Sequence, residues 1–311
     1  MDASVTSGAA EGTSGCHPLM RDYIELTKPR ITWLILMSTG IGYFFGLRGA
    51  SSWLEFLGNI HLLSLLHTVL GTGLIASGTA ALNQWYEREA DRKMRRTADR
   101  PLPSGKLTAG RALAFGIALS IAGFVELWLG VNRISALIGL FTLASYLFLY
   151  TPMKQRTWWS TTVGAIPGAM PPMIGFAAAA GTITVDAWVL GAILFLWQFP
   201  HFYSIAWMYK DDYARAGIQM LPVVEPDCRS TARQIVLYGI ALIPVSLIPA
   251  ALGMSGRLYL IGALLLGLWF LYSGVRVALE GTLARARSVL ITSVLYLPLI
   301  YGLMLLDRPG L

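Results

Sequence analysis

Nine apolar stretches divide this chain, approximately residues 31–47, 62–82, 112–131, 134–150, 160–180, 187–208, 235–254, 258–275 and 288–306. Each is close to the ~20 residues an α-helix needs to cross the hydrocarbon core of a bilayer. Only 13% of the 311 residues are charged and 55% are hydrophobic, where a soluble domain carries roughly a quarter charged. The expectation is an all-α integral membrane protein with nine transmembrane helices, forming a single domain over residues 21–311.

Residues 1–20 are rich in Gly, Ala and Ser and lack a basic segment followed by an apolar run. They read as a disordered cytoplasmic tail rather than a signal peptide, which makes the first span a signal anchor. With the N-terminus inside, all but Arg48, Arg133, Arg257 and Arg308 of the 24 Lys and Arg fall on the cytoplasmic side. That asymmetry obeys the positive-inside rule and places the C-terminus outside. Topology thus explains most of the net charge of +7, and nucleic acid is not an indicated partner. Cys16 and Cys228 both fall on the inner side, with neither a disulfide nor a cysteine metal site indicated.

The polar residues gather in two inner loops. The first runs Asn83-Gln-Trp-Tyr-Glu87-Arg-Glu-Ala-Asp91-Arg-Lys-Met-Arg-Arg-Thr-Ala-Asp-Arg100-Pro-Leu-Pro and follows the second span. At helical pitch Asn83, Glu87 and Asp91 are four apart and line one face over about two turns. An amide and two carboxylates there are oxygen ligands of the kind Mg²⁺ takes while leaving positions for substrate phosphates; the bland alternative is the solvated end of a helix. The second loop ends the sixth span: Trp197-Gln-Phe-Pro-His201-Phe, then Lys210-Asp211-Asp212-Tyr213-Ala-Arg215. Two acidic clusters facing each other across a cavity can hold a pair of Mg²⁺ ions on a diphosphate leaving group. The bases placed to bind its oxygens are Lys93, Arg96, Arg100, Lys154, Arg156, Lys210 and Arg215, although inner loops carry Lys and Arg whether or not they bind anything.

Asn83 through Pro103 resembles the first aspartate-rich motif of the UbiA superfamily of intramembrane prenyltransferases. More narrowly it is similar to the heme-directed branch, in which NxxxExxxDxxMxRTxxRPLP recurs; Asn83, Glu87, Asp91, Met94, Arg96, Thr97, Arg100, Pro101, Leu102 and Pro103 supply it. Leu26-Thr-Lys-Pro-Arg30, Tyr150-Thr-Pro-Met-Lys154-Gln-Arg156, Gly164-Ala-Ile-Pro-Gly168-Ala-Met-Pro-Pro172, Trp197-Gln-Phe-Pro-His201-Phe and Asp212-Tyr-Ala-Arg-Ala-Gly217 match the same branch, so the likeness covers roughly residues 22 to 225. Many members of the wider superfamily carry NDxxDxxxD first and DxxxD second. Here Gln84 and Glu87 stand in the first motif and Ala216 lies four beyond Asp212, departures that the heme-directed branch shares, whereas a quinone-directed enzyme is expected to keep the second DxxxD.

The resemblance implies a helical bundle around a central cavity open toward the cytoplasmic side of a bacterial inner membrane. It implies that heme B, farnesyl diphosphate and water give heme O and diphosphate, with Mg²⁺ as cofactor and heme as substrate. Asn83, Glu87, Asp91 and Asp212, with Asp211 as a further ligand candidate, would hold the metal. Arg96, Arg100, Lys154 and Lys210 would take the remaining diphosphate charge, with Lys93 and Arg156 beside them. His201 is a candidate heme ligand, with a hydrogen-bonded structural role as the alternative. A heme A synthase is the expected consumer of the product, and the lipid bilayer the remaining partner.

Three features stand apart. Pro167, Pro171 and Pro172 are expected to kink the fifth span and open room for a flat macrocycle, or to kink it for packing alone. Glu126, in the third span, is read as snorkelling to the outer interface rather than as a functional intramembrane acid, and His61 and His67 as interfacial or packing residues. Rival functions are prenylation of a quinone precursor or a chlorin, separable by product analysis, and a heme carrier or transporter without catalysis, disfavoured because the acids lie at the membrane face rather than the midplane.

Overall fold

The computed structural model describes residues 18–47 and 59–309. Cys16, His17, Arg48 and most of the expected tail lie outside the described residues; residues 18–20 belong to a helix. In chain order the helices are α1 (Pro18–Leu26), α2 (Pro29–Gly46), α3 (Asn59–Lys93), α4 (Ala109–Gly130) and α5 (Arg133–Ala144), which continues through a π-helical turn, Ser145–Tyr150, to Met153. They go on as α6 (Ser160–Gly168), α7 (Met170–Ala180), α8 (Val185–Met208), α9 (Lys210–Arg215), α10 (Leu221–Val224), α11 (Arg229–Ala251), α12 (Arg257–Glu280) and α13 (Leu283–Leu306).

Among the described residues eight helices are long and apolar enough to cross a membrane, with α6 and α7 counted as one. These match the expected second to ninth spans. The expected first span is α2, an 18-residue helix opened by Pro29 and Arg30, and it is not among the eight. The spans pack as a closed set: α3 on α4, α2 on α7, α8 on α11 and α13, and α12 between α11 and α13. Buried side chains of α8, α11, α12 and α13, with Phe44, Phe45 and Phe176 from α2 and α7, form the largest apolar core. Arg308 closes the ring, donating to the carbonyls of Phe44 and Leu47 at 2.8 Å each and so satisfying the open C-terminal end of α2.

The contact between α2 and α7 is close enough to require glycine. A methyl at Gly175 would run into the Thr39 carbonyl, and one at Gly42 into the Pro172 carbonyl, so the two backbones meet as small-residue membrane helices do. The fifth span is interrupted at Ala169, as expected from its prolines: Pro167 ends α6 and Pro171 and Pro172 open α7. Gln198 of α8 braces the break, donating to Ala165 O at 3.1 Å and Leu194 O at 3.0 Å.

Glu126 does not simply snorkel. Its Oε1 lies 2.6 Å from His67 Nδ1, joining α3 to α4 and giving each ionisable group a partner at membrane depth.

Candidate active site

Helix α3 outruns its apolar span. At 1.5 Å per residue its 35 residues reach about 52 Å against a hydrocarbon core of ~30 Å, so the last turns project from the lipid. They carry Asn83, Glu87 and Asp91, all turned inward; Asn83 and Asp91 are each 1% exposed. The helix ends at Lys93, where Thr97 Oγ1 donates to Asp91 O at 2.8 Å and Met94 N donates to the same carbonyl at 3.2 Å. The chain then folds back because Leu102 and Leu107 of the Pro-rich turn pack on Leu26, Ala81 and Ala112. That return brings Arg100 Nη1 to 2.8 Å from Asp91 Oδ2.

Asn83 meets two other elements. Lys28 Nζ donates to its Oδ1 at 3.2 Å, and its Nδ2 donates to Thr151 Oγ1 at 3.3 Å. Lys28 sits between α1 and α2 in a left-handed conformation, φ 48°, which is costly for a side-chain-bearing residue and concentrates at functional sites. Gln84 Nε2 pins this segment by donating to Leu26 O at 2.9 Å. The amide that replaces an acid in the wider motif thus clamps backbone instead of facing the cavity. Burial, followed by the positive charges of Arg100 and Lys154, lowers the Lys28 ammonium to about 8, against the opposing pull of Glu87 and Asp91.

The π-helical turn of α5, a feature common at functional sites, directs Tyr146, Tyr150 and Lys154 into the same space. Lys154 Nζ lies 2.7 Å from Glu87 Oε1 and 4.4 Å from the centre of the Tyr150 ring. Burial opposes its charge, but the Glu87 carboxylate and the phenols of Tyr150 and Tyr146 outweigh that and hold its pKa well above the ordinary lysine range. The second loop closes over the site from the far side. Arg96 reaches across to it, 4.9 Å from the Tyr209 ring centre, with Nη2 donating to the Tyr213 hydroxyl at 3.4 Å. Met94 packs with Ala206, Ala216, Ile218 and Met220, and Gln219 N donates to Lys154 O at 2.7 Å.

Together these groups surround a cavity of about 200 Å³ whose charged lining comprises Lys28, Arg96, Arg100 and Lys154 against Glu87 and Asp91. Four cations against two anions suit a polyanionic ligand. Lys28, Ile31 and Tyr146 also border a second chamber of about 140 Å³, walled by Ile35, Ile75, Ala76, Ala80, Pro167, Pro171 and Ile174. A polar chamber thus adjoins an apolar one, with Lys28, Ile31 and Tyr146 common to both. Pro167 and Pro171 line this apolar chamber, while Pro172 meets α2 at Gly42.

Several sequence candidates lie elsewhere. Lys93, Arg156 and Asp211 are exposed and do not line the cavity. Lys210 Nζ donates to Pro226 O at 3.4 Å. Asp212 pairs with Arg215 on its own short helix and also stays outside the cavity. His201 stacks on Trp197 at 4.9 Å with Nδ1 2.8 Å from Ser293 Oγ, so its ring faces α13 while Phe202 and Ile205 of the same helix face the cavity. Conversely, Lys28, Tyr146, Tyr150 and Tyr213 line the site without having been singled out for it. Thr27-Lys28-Pro29 and Tyr150-Thr-Pro-Met-Lys154 were the signals that contained two of them, Lys28 and Tyr150.

The donor set suits Mg²⁺. Asn83 Oδ1 and the carboxylates of Glu87 and Asp91 are hard oxygen donors on one wall, and Mg²⁺ is commonly held by one or two carboxylates together with substrate phosphates. Among the described residues no three His, Cys, Asp or Glu converge on one point. The residues therefore fit a metal shared with a phosphate-bearing ligand, and not a closed protein cage.

The UbiA prenyltransferase family matches residues 35–297. The chain is 87% identical over 292 residues to a protoheme IX farnesyltransferase of Solibacter usitatus (strain Ellin6076), covering 94% of this chain and 100% of the relative. It is 45% identical to one of Koribacter versatilis (strain Ellin345), over 98% of this chain and 99% of that one. Among solved structures, a digeranylgeranylglyceryl phosphate synthase superposes with TM-score 0.73 at 18% identity, covering 94% and 99% of the two chains. A UbiA homologue from Archaeoglobus fulgidus bound to GPP and Mg²⁺ superposes with TM-score 0.57 at 16% identity, covering 91% and 99%; at these identities the likeness is one of fold.

Proposed function

The chain belongs to the UbiA prenyltransferase family, and we propose that it transfers the farnesyl group of farnesyl diphosphate to a vinyl group of heme B with addition of water, giving heme O and diphosphate. The observation that carries the chemistry is the polar cavity, four cations around two carboxylates, beside an apolar chamber with which it shares Lys28, Ile31 and Tyr146. The 87% identity over 292 residues to a protoheme IX farnesyltransferase supports the acceptor.

The diphosphate enters the polar cavity and the prenyl chain runs into the chamber between α2, α3, α5 and the α6–α7 break. Arg100 and Lys154, paired with Asp91 and Glu87, turn to the phosphate oxygens, and Lys28 and Arg96 complete the cationic shell. Asn83, Glu87 and Asp91 would hold Mg²⁺, which would supply charge neutralisation to the departing diphosphate. Lys93, Arg156 and Lys210, on the outer approaches, steer the anion inward. Ile31, Phe202, Ile205, Ile218 and Met220 keep the allylic cation away from bulk water until the vinyl group attacks. Asp211 and Asp212 shape the second loop, and His201 is held by Ser293 for packing between α8 and α13.

In the membrane, α2 serves as a ninth span alongside the eight. The protein lies in a bacterial cytoplasmic membrane with its N-terminus inside, its C-terminus outside and the active site at the inner face, as the distribution of Lys and Arg supports. Heme O then passes to a heme A synthase. The test is to incubate the purified protein with heme B, farnesyl diphosphate and Mg²⁺, with and without EDTA, and to read extracted hemes by mass spectrometry. A chelator-sensitive gain of a hydroxyethylfarnesyl group supports the reading; unmodified heme overturns it.

A further inference from the structure

Most hydroxyls buried in this bundle return a hydrogen bond to the preceding helical turn. Thr79 Oγ1 donates to Ile75 O at 2.7 Å, Thr142 Oγ1 to Ile138 O at 2.8 Å, and Thr151 Oγ1 to Tyr146 O at 2.8 Å. Thr161 differs. It is 3% exposed, its Oγ1 is buried with no hydrogen-bond partner among the described residues, and it lines the polar cavity. It stands second in α6 (Ser160–Gly168); its amide donates to Trp158 O at 3.2 Å, while its hydroxyl does not turn back to the preceding carbonyls as the other threonines do.

The position of Thr161 is specific. Gly164, three residues on and on the same face, abuts the Tyr150 ring, which sets Thr161 beside the Tyr150 and Lys154 wall. Phe202 and Ile205 of α8 are the other cavity-lining side chains of this side, so Thr161 is the one polar side chain that α6 and α8 give the cavity. The carboxylates and most of the cations come from the opposite wall.

We propose that Thr161 holds the water molecule that captures the cation formed on the acceptor, an inference that rests on the heme-farnesylating reading. The C1–O bond of farnesyl diphosphate breaks with its electron pair leaving on diphosphate. The vinyl π pair of the porphyrin forms the new bond to C1, leaving a cation on the carbon next to the ring. A water whose hydrogen bond is accepted by Thr161 Oγ1 gives its lone pair to that carbon, and its proton passes to the released diphosphate. Without a held water the same cation loses a proton from the adjacent carbon and ends as an alkene, one water lighter. A site walled against bulk water needs one place where a single water is kept, and this hydroxyl supplies it.

The test compares Thr161→Val, which keeps the shape, with Thr161→Ser, which keeps the hydroxyl, reading the ratio of hydroxylated to dehydrated farnesyl heme by mass spectrometry. Losing one positioning hydrogen bond shifts that ratio toward the alkene by about tenfold in Thr161→Val, with KM for farnesyl diphosphate little changed, while Thr161→Ser stays with the wild type. Thr161→Ala, tested in parallel, gives the same shift as Thr161→Val. An unchanged ratio overturns the proposal. A raised KM with an unchanged ratio also overturns it and assigns the hydroxyl to the diphosphate. Wild-type protein that leaves heme B unmodified overturns the functional reading itself, an outcome separate from either.

Discussion

Lys154 Nζ lies 2.7 Å from Glu87 Oε1, and this pair ties the end of the fourth expected span to the acidic face of the second. Both side chains are largely buried, 14% and 12% exposed. Removing one partner of a buried pair leaves the other charged and unpaired, at a cost of about 3–5 kcal/mol. Lys154→Met is therefore expected to lower the thermal unfolding midpoint in detergent and to abolish transfer. The double variant Lys154→Met, Glu87→Leu is expected to regain most of the stability and none of the turnover.

Lys28 gives the site a pH dependence. Its folded pKa, about 8, is below the free lysine value of 10.5, so the unfolded chain binds more protons between those values and stability rises with pH across that window. Ligand binding runs the other way, because a diphosphate beside Lys28 favours the charged ammonium. Binding at pH 9 takes up a proton, binding at pH 7 takes up much less, and affinity falls as pH rises through about 8. Calorimetric titration with farnesyl diphosphate in buffers of different ionisation enthalpy measures the uptake, which Lys28→Met removes.

The two acidic clusters differ in weight. Asp91 is 1% exposed and lines the cavity, whereas Asp212 is engaged by Arg215 outside it. Asp91→Asn is expected to lower turnover at least about 100-fold, the scale on which a preorganised electrostatic contact acts. Asp212→Asn is expected to lower it by less than about tenfold. Turnover of both variants at saturating Mg²⁺ and farnesyl diphosphate decides the ranking; equal losses would restore Asp212 to the metal.

Much of this architecture was legible in the chain because apolar length is a direct consequence of bilayer thickness, and eight of the nine expected spans recur within helices long and apolar enough to cross a membrane. The inward face of Asn83, Glu87 and Asp91 was legible too, since fourfold spacing and helical pitch leave little freedom. Spacing could not reveal which acids meet the cavity: Asp211 and Asp212 share the composition of Glu87 and Asp91, but a short surface helix aims them elsewhere. Lys28 was hidden because its approach depends on a left-handed backbone and on Gln84, fifty-six residues away, holding the segment in place. The pairing of His67 with Glu126 was hidden for the same reason, as contacts between separate helices carry no local signature.

The α2–α7 contact predicts a large packing effect far from any charge. Gly175→Ala places a methyl against the Thr39 backbone, where no side chain can yield. Overpacking of this kind costs about 1–3 kcal/mol or more, and because α2 follows directly on Lys28, the site is displaced with it. A lowered unfolding midpoint together with weaker binding of farnesyl diphosphate is expected, whereas Gly40→Ala, in open space on the same helix, leaves both near the wild type.

The most direct test of the account is a competition. Purified protein is given farnesyl diphosphate and Mg²⁺ with equimolar heme B and a prenylatable phenolic acid, and all products are read by mass. The account predicts hydroxyethylfarnesyl heme, an unmodified phenol, and loss of the product in Asp91→Asn. A prenylated phenol beside unchanged heme B would contradict it.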